Sequence, residues 1–150
     1  MIKDILVSAV KAQRAYLEYF VYVAEWNTLA ASSSEIVNVQ LQNDSDFLVE
    51  EITISSYSAV GTQVTNPDYL ITLFGTASGR QYQSAAGHVW GLCGTAQFPK
   101  KLPTPLLLDG GTTLAVTLQN LTPTAARVHV HFIGSKVFYL RGFSRTDIIG

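Results

Sequence analysis

Two histidines, His129 and His131, stand two residues apart in Arg127-Val128-His129-Val130-His131-Phe132. On a strand that spacing sends both rings out of the same face. Such a pair can hold a metal ion if a third ligand arrives, from His88 or an acidic side chain. The competing reading is a polar pair facing solvent or a partner, and two histidines alone favour it. Carboxylates come as Glu50-Glu51 and Asp44-Ser45-Asp46. A glycosidase needs two carboxyls facing one cleft, whereas adjacent residues on a strand face opposite ways. Asp44 and Asp46 read as turn residues, because no glycine and acidic continuation follows them as a calcium loop requires. The chain has no G-x-S-x-G, no G-x-x-x-x-G-K and no H-E-x-x-H. Gly75-Thr76-Ala77-Ser78-Gly79 reads as a turn, since no helix follows to receive a dinucleotide. The single cysteine, Cys93, sits in apolar company in Trp90-Gly91-Leu92-Cys93-Gly94. It permits no internal disulfide and no thiolate cluster, and a buried, inert thiol is expected. Nothing points to an oxidising compartment. No catalytic residue, cofactor or bound metal is expected, and the chain is not expected to be an enzyme.

The histidines belong to the segment Thr113 to Phe138, which reads as a β-hairpin with divided faces. In its second arm Val128, Val130 and Phe132 point one way, and Arg127, His129 and His131 the other. In its first arm Leu114, Val116 and Leu118 share the apolar side. Asn120-Leu121-Thr122-Pro123-Thr124 is turn chemistry. Two arms cannot be stable alone, so the rest of the chain must supply further strands. Tyr16 to Ala24 is aromatic and β-branched, a strand. Glu35 to Leu41 alternates with Val37, Val39 and Leu41 on one face. Phe47 to Tyr57 is a long strand whose alternation slips at Glu50-Glu51, the mark of a bulge. Ala59 to Asn66 is a polar loop. Tyr69 to Phe74 is a strand, Gln81 to Ser84 a short one, and Ala85 to Lys101 irregular. Leu102-Pro103-Thr104-Pro105-Leu106-Leu107-Leu108 is an edge strand or a traverse between sheets. About eight strands separated by turn signals predict an all-β, antiparallel two-sheet sandwich, jelly-roll-like, with an immunoglobulin-like arrangement as the alternative. The expected organisation is an N-terminal arm or short helix over 1–15, the sandwich over 16–139 and a C-terminal tail over 140–150. Ile2, Ile5, Leu6, Ala9 and Val10 make one helical face, which is marginal unless it docks.

Charged residues are 14% of the chain, hydrophobic residues 47%, and the formal net charge is −1. Average usage is about 25% charged. A surface this poor in charge favours association, or belongs to a β-rich domain dressed in Ser, Thr, Gln and Asn. Lys3, Asp4, Lys11, Arg14, Glu18 and Glu25 interrupt the N-terminal apolar run, so neither a membrane span nor a secretory signal is expected there. Ten basic residues against eleven acidic ones leave no basic stripe for nucleic acid. Tyrosine and tryptophan bury much area while keeping a polar tip, which suits interfaces. Tyr16, Tyr19, Phe20, Tyr22 and Trp26 crowd together and supply an inner strand with a tyrosine-lined rim, or such an interface. The expected interface residues are Ile5, Leu6, Val10, Tyr16, Tyr19, Tyr22, Trp26, His129, His131 and Phe143.

A series of soft motifs comes in a suggestive order. It runs Asp44-Ser45-Asp46-Phe47, Leu92-Cys93-Gly94-Thr95-Ala96, Leu102-Pro103-Thr104-Pro105, Leu118-Gln119-Asn120-Leu121-Thr122, then Arg127 to Lys136. Over roughly Tyr19 to Tyr139 the chain resembles structural proteins of tailed-bacteriophage virions, especially capsid decoration or cement proteins of jelly-roll type. The resemblance implies a non-enzymatic protein on the outer capsid surface, assembled in the host cytoplasm. It implies the major capsid protein and further copies of itself, as a homodimer or homotrimer, for partners, with no nucleic acid and no membrane. Similar sandwiches occur in phage necks and tails, which keeps that location open. Two further readings are a carbohydrate-binding sandwich stacking sugars on Trp26 or Trp90, and a cupin-like metalloenzyme using His129 and His131.

Overall fold

Alternation of apolar and polar residues, rather than helical periodicity, governs most of the chain, and strands dominate its computed structural model. The structure describes residues 1–64, 67–95 and 97–150. Thr65 and Asn66, the end of the expected polar loop, and Ala96 of the cysteine motif lie outside them. Nine strands form. They are β1 (Ala15–Leu29), β2 (Ser34–Gln40), β3 (Asp46–Ser58), β4 (Tyr69–Gly75), β5 (Arg80–Gln81), β6 (Gly87–His88), β7 (Lys100–Leu108), β8 (Thr113–Asn120) and β9 (Ala126–Tyr139). Three helices accompany them, α1 (Ile2–Lys11), α2 (Val89–Leu92) and α3 (Arg145–Ile148). None of the described helices is long and apolar enough to cross a membrane.

All strand pairs are antiparallel and divide into two sheets, one in the order β1-β9-β3-β7, the other β2-β8-β4-β5 with β6 also on β4. From β1 to β4, and again from β6 to β9, each successive strand lies in the opposite sheet. That is the winding of a jelly roll, and the expected all-β sandwich is what forms. The expected hairpin of Thr113 to Phe138 is corrected. Its arms β8 and β9 do not pair; β8 lies between β2 and β4, and β9 between β1 and β3. Their apolar faces, Leu114-Val116-Leu118 and Val128-Val130-Phe132, meet across the core, every one of them buried. The crossover between them is tied by Asn120, which is buried. Its Nδ2 donates to Leu29 O at 3.3 Å, Ala30 O at 3.3 Å and Thr124 O at 2.9 Å. Its Oδ1 accepts from the backbone N–H of Thr122 at 2.9 Å. A buried amide with its capacity this well satisfied stabilises one crossover path over a tight turn.

The bulge at Glu50 is present, between Val49 and Glu51 opposite Gly134 and Ile133. It turns Glu50 outward to pair with Lys3 of α1. Of the two expected states of the N-terminus, arm or short helix, the structure has the helix, and it is docked. Leu6 is fully buried against Leu48 and Val137, with Ile2, Leu17, Leu107, Ile148 and Ile149 around it. The expected C-terminal tail therefore carries a helix, α3, whose Ile148 and flanking Ile149 close this second cluster. Ser144 caps α3, with Asp147 Oδ2 accepting from its backbone N–H at 2.6 Å. Replacing Leu6 by alanine is expected to cost about 2–3 kcal/mol, roughly 5–10 °C in melting temperature. Thermal unfolding followed by circular dichroism checks it, and an unchanged midpoint would mean that the helix is not docked in solution.

Candidate functional site

The outer face of the four-stranded sheet is only half covered. α1 and α3 lie over the end built from Leu17, Leu48, Leu107 and Val137. Beyond them the same face continues without cover. Successive cross-strand rows there are Val21–Ile133–Glu51, Val23–His131–Thr53 and Glu25–His129–Ser55. Tyr19 leads into this face at 71% exposure, and Val23 is 45% exposed. Ile133, His129 and His131 are half-buried. The face is a mixed apolar and imidazole strip, consistent with the alternation of β1 and β9.

His129 and His131 do share one face, with ring centroids 6.1 Å apart. Burial lowers the pKa of His131 and the neighbouring His129 lowers it further, so His131 is neutral at pH 7. Glu25 Oε1 is 3.4 Å from His129 Nε2 without hydrogen-bond geometry, and that nitrogen has no hydrogen-bond partner. His88, one expected third ligand, is elsewhere. It belongs to β6 of the other sheet, where its Nε2 is 3.1 Å from Asp68 and its Nδ1 accepts from the N–H of Trp90. Among the described residues no group of three potential ligands converges.

The aromatic cluster of β1 divides by parity. Tyr22 and Trp26 are spent on the chain's own core, and neither offers a surface to a partner. Tyr22 packs edge-on against Phe47 and Phe20, and its hydroxyl accepts from the backbone N–H of Gln42 at 3.0 Å. Trp26 donates its indole N–H to Glu35 O at 3.2 Å, tying β1 to β2. Tyr16 lies at the rim, stacked on Phe138 at 4.7 Å. Beside it the Lys136 ammonium, almost wholly enclosed, lies 4.3 Å from the Phe20 ring centroid and 3.4 Å from Asp44. Of the helix residues Ile5 and Val10 are exposed and Leu6 is not. Phe143 is exposed under the Arg14 guanidinium, 5.6 Å from its ring centre.

Among the exposed apolar residues that the sequence reading did not single out are Ile36 and Phe98, whereas Trp90, expected as an exposed ring, is 40% exposed. Ile36 carried a signal, since Val37, Val39 and Leu41 already filled the core face of β2 and left it outward. Trp90 and Phe98 line a shallow concavity with Cys93, Pro99, Lys100 and Lys101. No periodicity could have joined them, because they come from a loop and a single helical turn. Cys93 itself is buried beneath them, and burial pushes its thiol up to about 12, partly offset by Lys100. The thiolate is therefore negligible at ordinary pH. A disulfide-exchange thiol reagent at pH 8 is expected to leave the native protein unmodified and to titrate the thiol on denaturation. Prompt labelling of the folded protein would contradict the placement.

No protein-family model matches the chain, and no curated protein matches it. Among solved structures it overlaps a chain of the cyanophage Pam1 capsid asymmetric unit with TM-score 0.42 and 16% identity, covering 85% of this chain and 86% of that one. It overlaps a chain of the acid-stable capsid of Helicobacter pylori bacteriophage KHP30 with TM-score 0.40 and 6% identity, covering 84% and 99%. It also overlaps dimeric latent PorU of Porphyromonas gingivalis with TM-score 0.40 and 13% identity, covering 85% of this chain but only 13% of PorU. Overlaps this loose say nothing of the chain's role.

Proposed function

We propose that this chain is a non-enzymatic structural subunit of a virion. It binds the outside of a phage capsid, clamps neighbouring major capsid subunits and contacts further copies of itself. The observation that carries the reading is the half-covered outer face of the four-stranded sheet, where Tyr19 and Val23 remain exposed beside Ile133 and the two histidines. Exposed apolar side chains interleaved with polar groups on an uncovered sheet face suit an interaction site. The low charge content supports it independently, as does the resemblance of the motif series to capsid decoration proteins. Many weak copies on one lattice gain avidity without large individual interfaces.

The test is the copy number and position of the chain in particles from its source. Hundreds of copies on the outer shell are expected. A handful at one vertex would move the role to neck or tail attachment, and absence from particles would overturn it. A sugar-binding role would rest on Trp90 alone, since Trp26 is inside the core.

A further inference from the structure

The sandwich has two lateral edges, and they differ in charge. β1 and β2 lie side by side at one edge, while β5, β6, α2 and β7 form the other. β1 and β2 carry Glu18, Glu25 and Glu35, all exposed, and no lysine or arginine. The opposite edge carries Arg80, Lys100 and Lys101, all exposed, and no carboxylate in its strands or helix. Three neighbouring acids are already engaged there, one of them Asp109, which follows β7 and pairs with Arg145. Asp68 is held by His88 at 3.1 Å, and Glu51 lies 3.9 Å from Lys101, which stays 82% exposed.

Apolar groups accompany the basic charges. Ile36, 60% exposed, follows Glu35 in β2 but faces the other way, outward from the five-stranded sheet. Trp90 and Phe98 stand beside Lys100 and Lys101 on the basic edge. The two clusters are also at nearly the same height. Gly94, which lines the same concavity as Trp90, bridges to Thr53, Thr53 pairs with His131 and His131 with Val23, two residues from Glu25. Side-by-side copies could therefore meet without a large shift along the strands.

We propose that a second copy of this chain docks its β1/β2 edge, led by Glu25 and Glu35, against the Trp90, Phe98, Lys100 and Lys101 edge of the first. The contact is head-to-tail, so each copy keeps one free edge and the assembly grows into a ring or a row. A two-fold contact would set glutamates against glutamates, or lysines against lysines, which electrostatics disfavours. Pro103 and Pro105 interrupt β7, so its edge does not extend into a continuous sheet across the contact. The proposal rests on the self-association included in the function proposed above, and its test needs only the purified chain.

Two double variants are made, Lys100→Glu with Lys101→Glu, and Glu25→Lys with Glu35→Lys. Their folding is checked by circular dichroism and their mass by sedimentation. The unmodified chain is expected to associate with rising concentration and to dissociate as salt is raised. Each folded variant alone is expected to be monomeric, and an equimolar mixture to regain association, because acidic and basic edges again face each other. A monomeric unmodified chain, association surviving in either variant, or a mixture that stays monomeric would overturn the contact. None of those results bears on copy number in particles, so the two ideas fail separately.

Discussion

A valine at Gly134 is expected to leave no stably folded protein. Gly134 lies on β9 opposite the bulge of β3, paired with Val49 on one side and Phe20 on the other. A Cβ built at this position would overlap the Leu48 carbonyl oxygen and crowd Val49 Cα at 3.2 Å. Those obstacles are backbone, so no side chain can swing aside. Relief requires β3 and β9 to separate in the middle of the four-stranded sheet, breaking ladder hydrogen bonds and opening the core between Val49 and Phe132. Ordinary overpacking costs about 1–3 kcal/mol, and a clash with backbone belongs to the exceptional class above about 4 kcal/mol. Against a total stability of about 5–15 kcal/mol, that is enough to unfold much of the population. Soluble yield and a denaturant midpoint measure it, and Gly134→Ala is expected to fall short of the unmodified protein as well, since the first carbon does the damage. A valine variant with an unchanged midpoint would show that the strands do not pass so closely.

Replacing Trp26 by alanine is expected to have the next largest effect, about 3–5 kcal/mol. Trp26 is among the largest fully buried side chains, and its indole N–H bonds Glu35 O across to the first strand of the other sheet. Truncation removes the ring from the core, leaves a cavity, and removes the indole hydrogen bond at the corner where β1 and β2 meet. Chemical denaturation with tryptophan fluorescence reads the result, with Trp90 as the remaining reporter. Trp26→Phe is expected to recover most of the packing and none of the hydrogen bond, leaving about 1 kcal/mol of deficit. An alanine variant as stable as the unmodified chain would mean that β1 and β2 are not joined there.

Much of the architecture was legible in residue order, for a simple reason. Burial on one face of a strand imposes period two, so Val128-Val130-Phe132 and Leu114-Val116-Leu118 declared their faces without any structure. The slip at Glu50-Glu51 declared a bulge, and the apolar stripe Ile2, Ile5, Leu6, Ala9 and Val10 admitted a helix or an arm. What the pattern could not declare was pairing. The same alternation that makes β8 and β9 look like the arms of a hairpin also suits strands facing each other from opposite sheets. The choice between them turns on contacts distant in sequence, such as Asn120 reaching Leu29 and Ala30. The candidate interface divided along the same line. Tyr16, Tyr19, Tyr22 and Trp26 are alike as residues, yet parity within β1 sent Tyr22 and Trp26 inward and left Tyr19 exposed.

By itself, then, the sequence determined the class of fold, the faces of its strands, the inert cysteine and the lack of a recognisable catalytic motif, because each follows from local composition and period. Tertiary structure alone decided which strands pair, that the terminal helices cover half of one sheet, and that the strands carrying Glu18, Glu25 and Glu35 form one edge while those carrying Arg80, Lys100 and Lys101 form the other. Those are consequences of the winding, which carries segments far apart in the chain to a common edge and which no local pattern encodes.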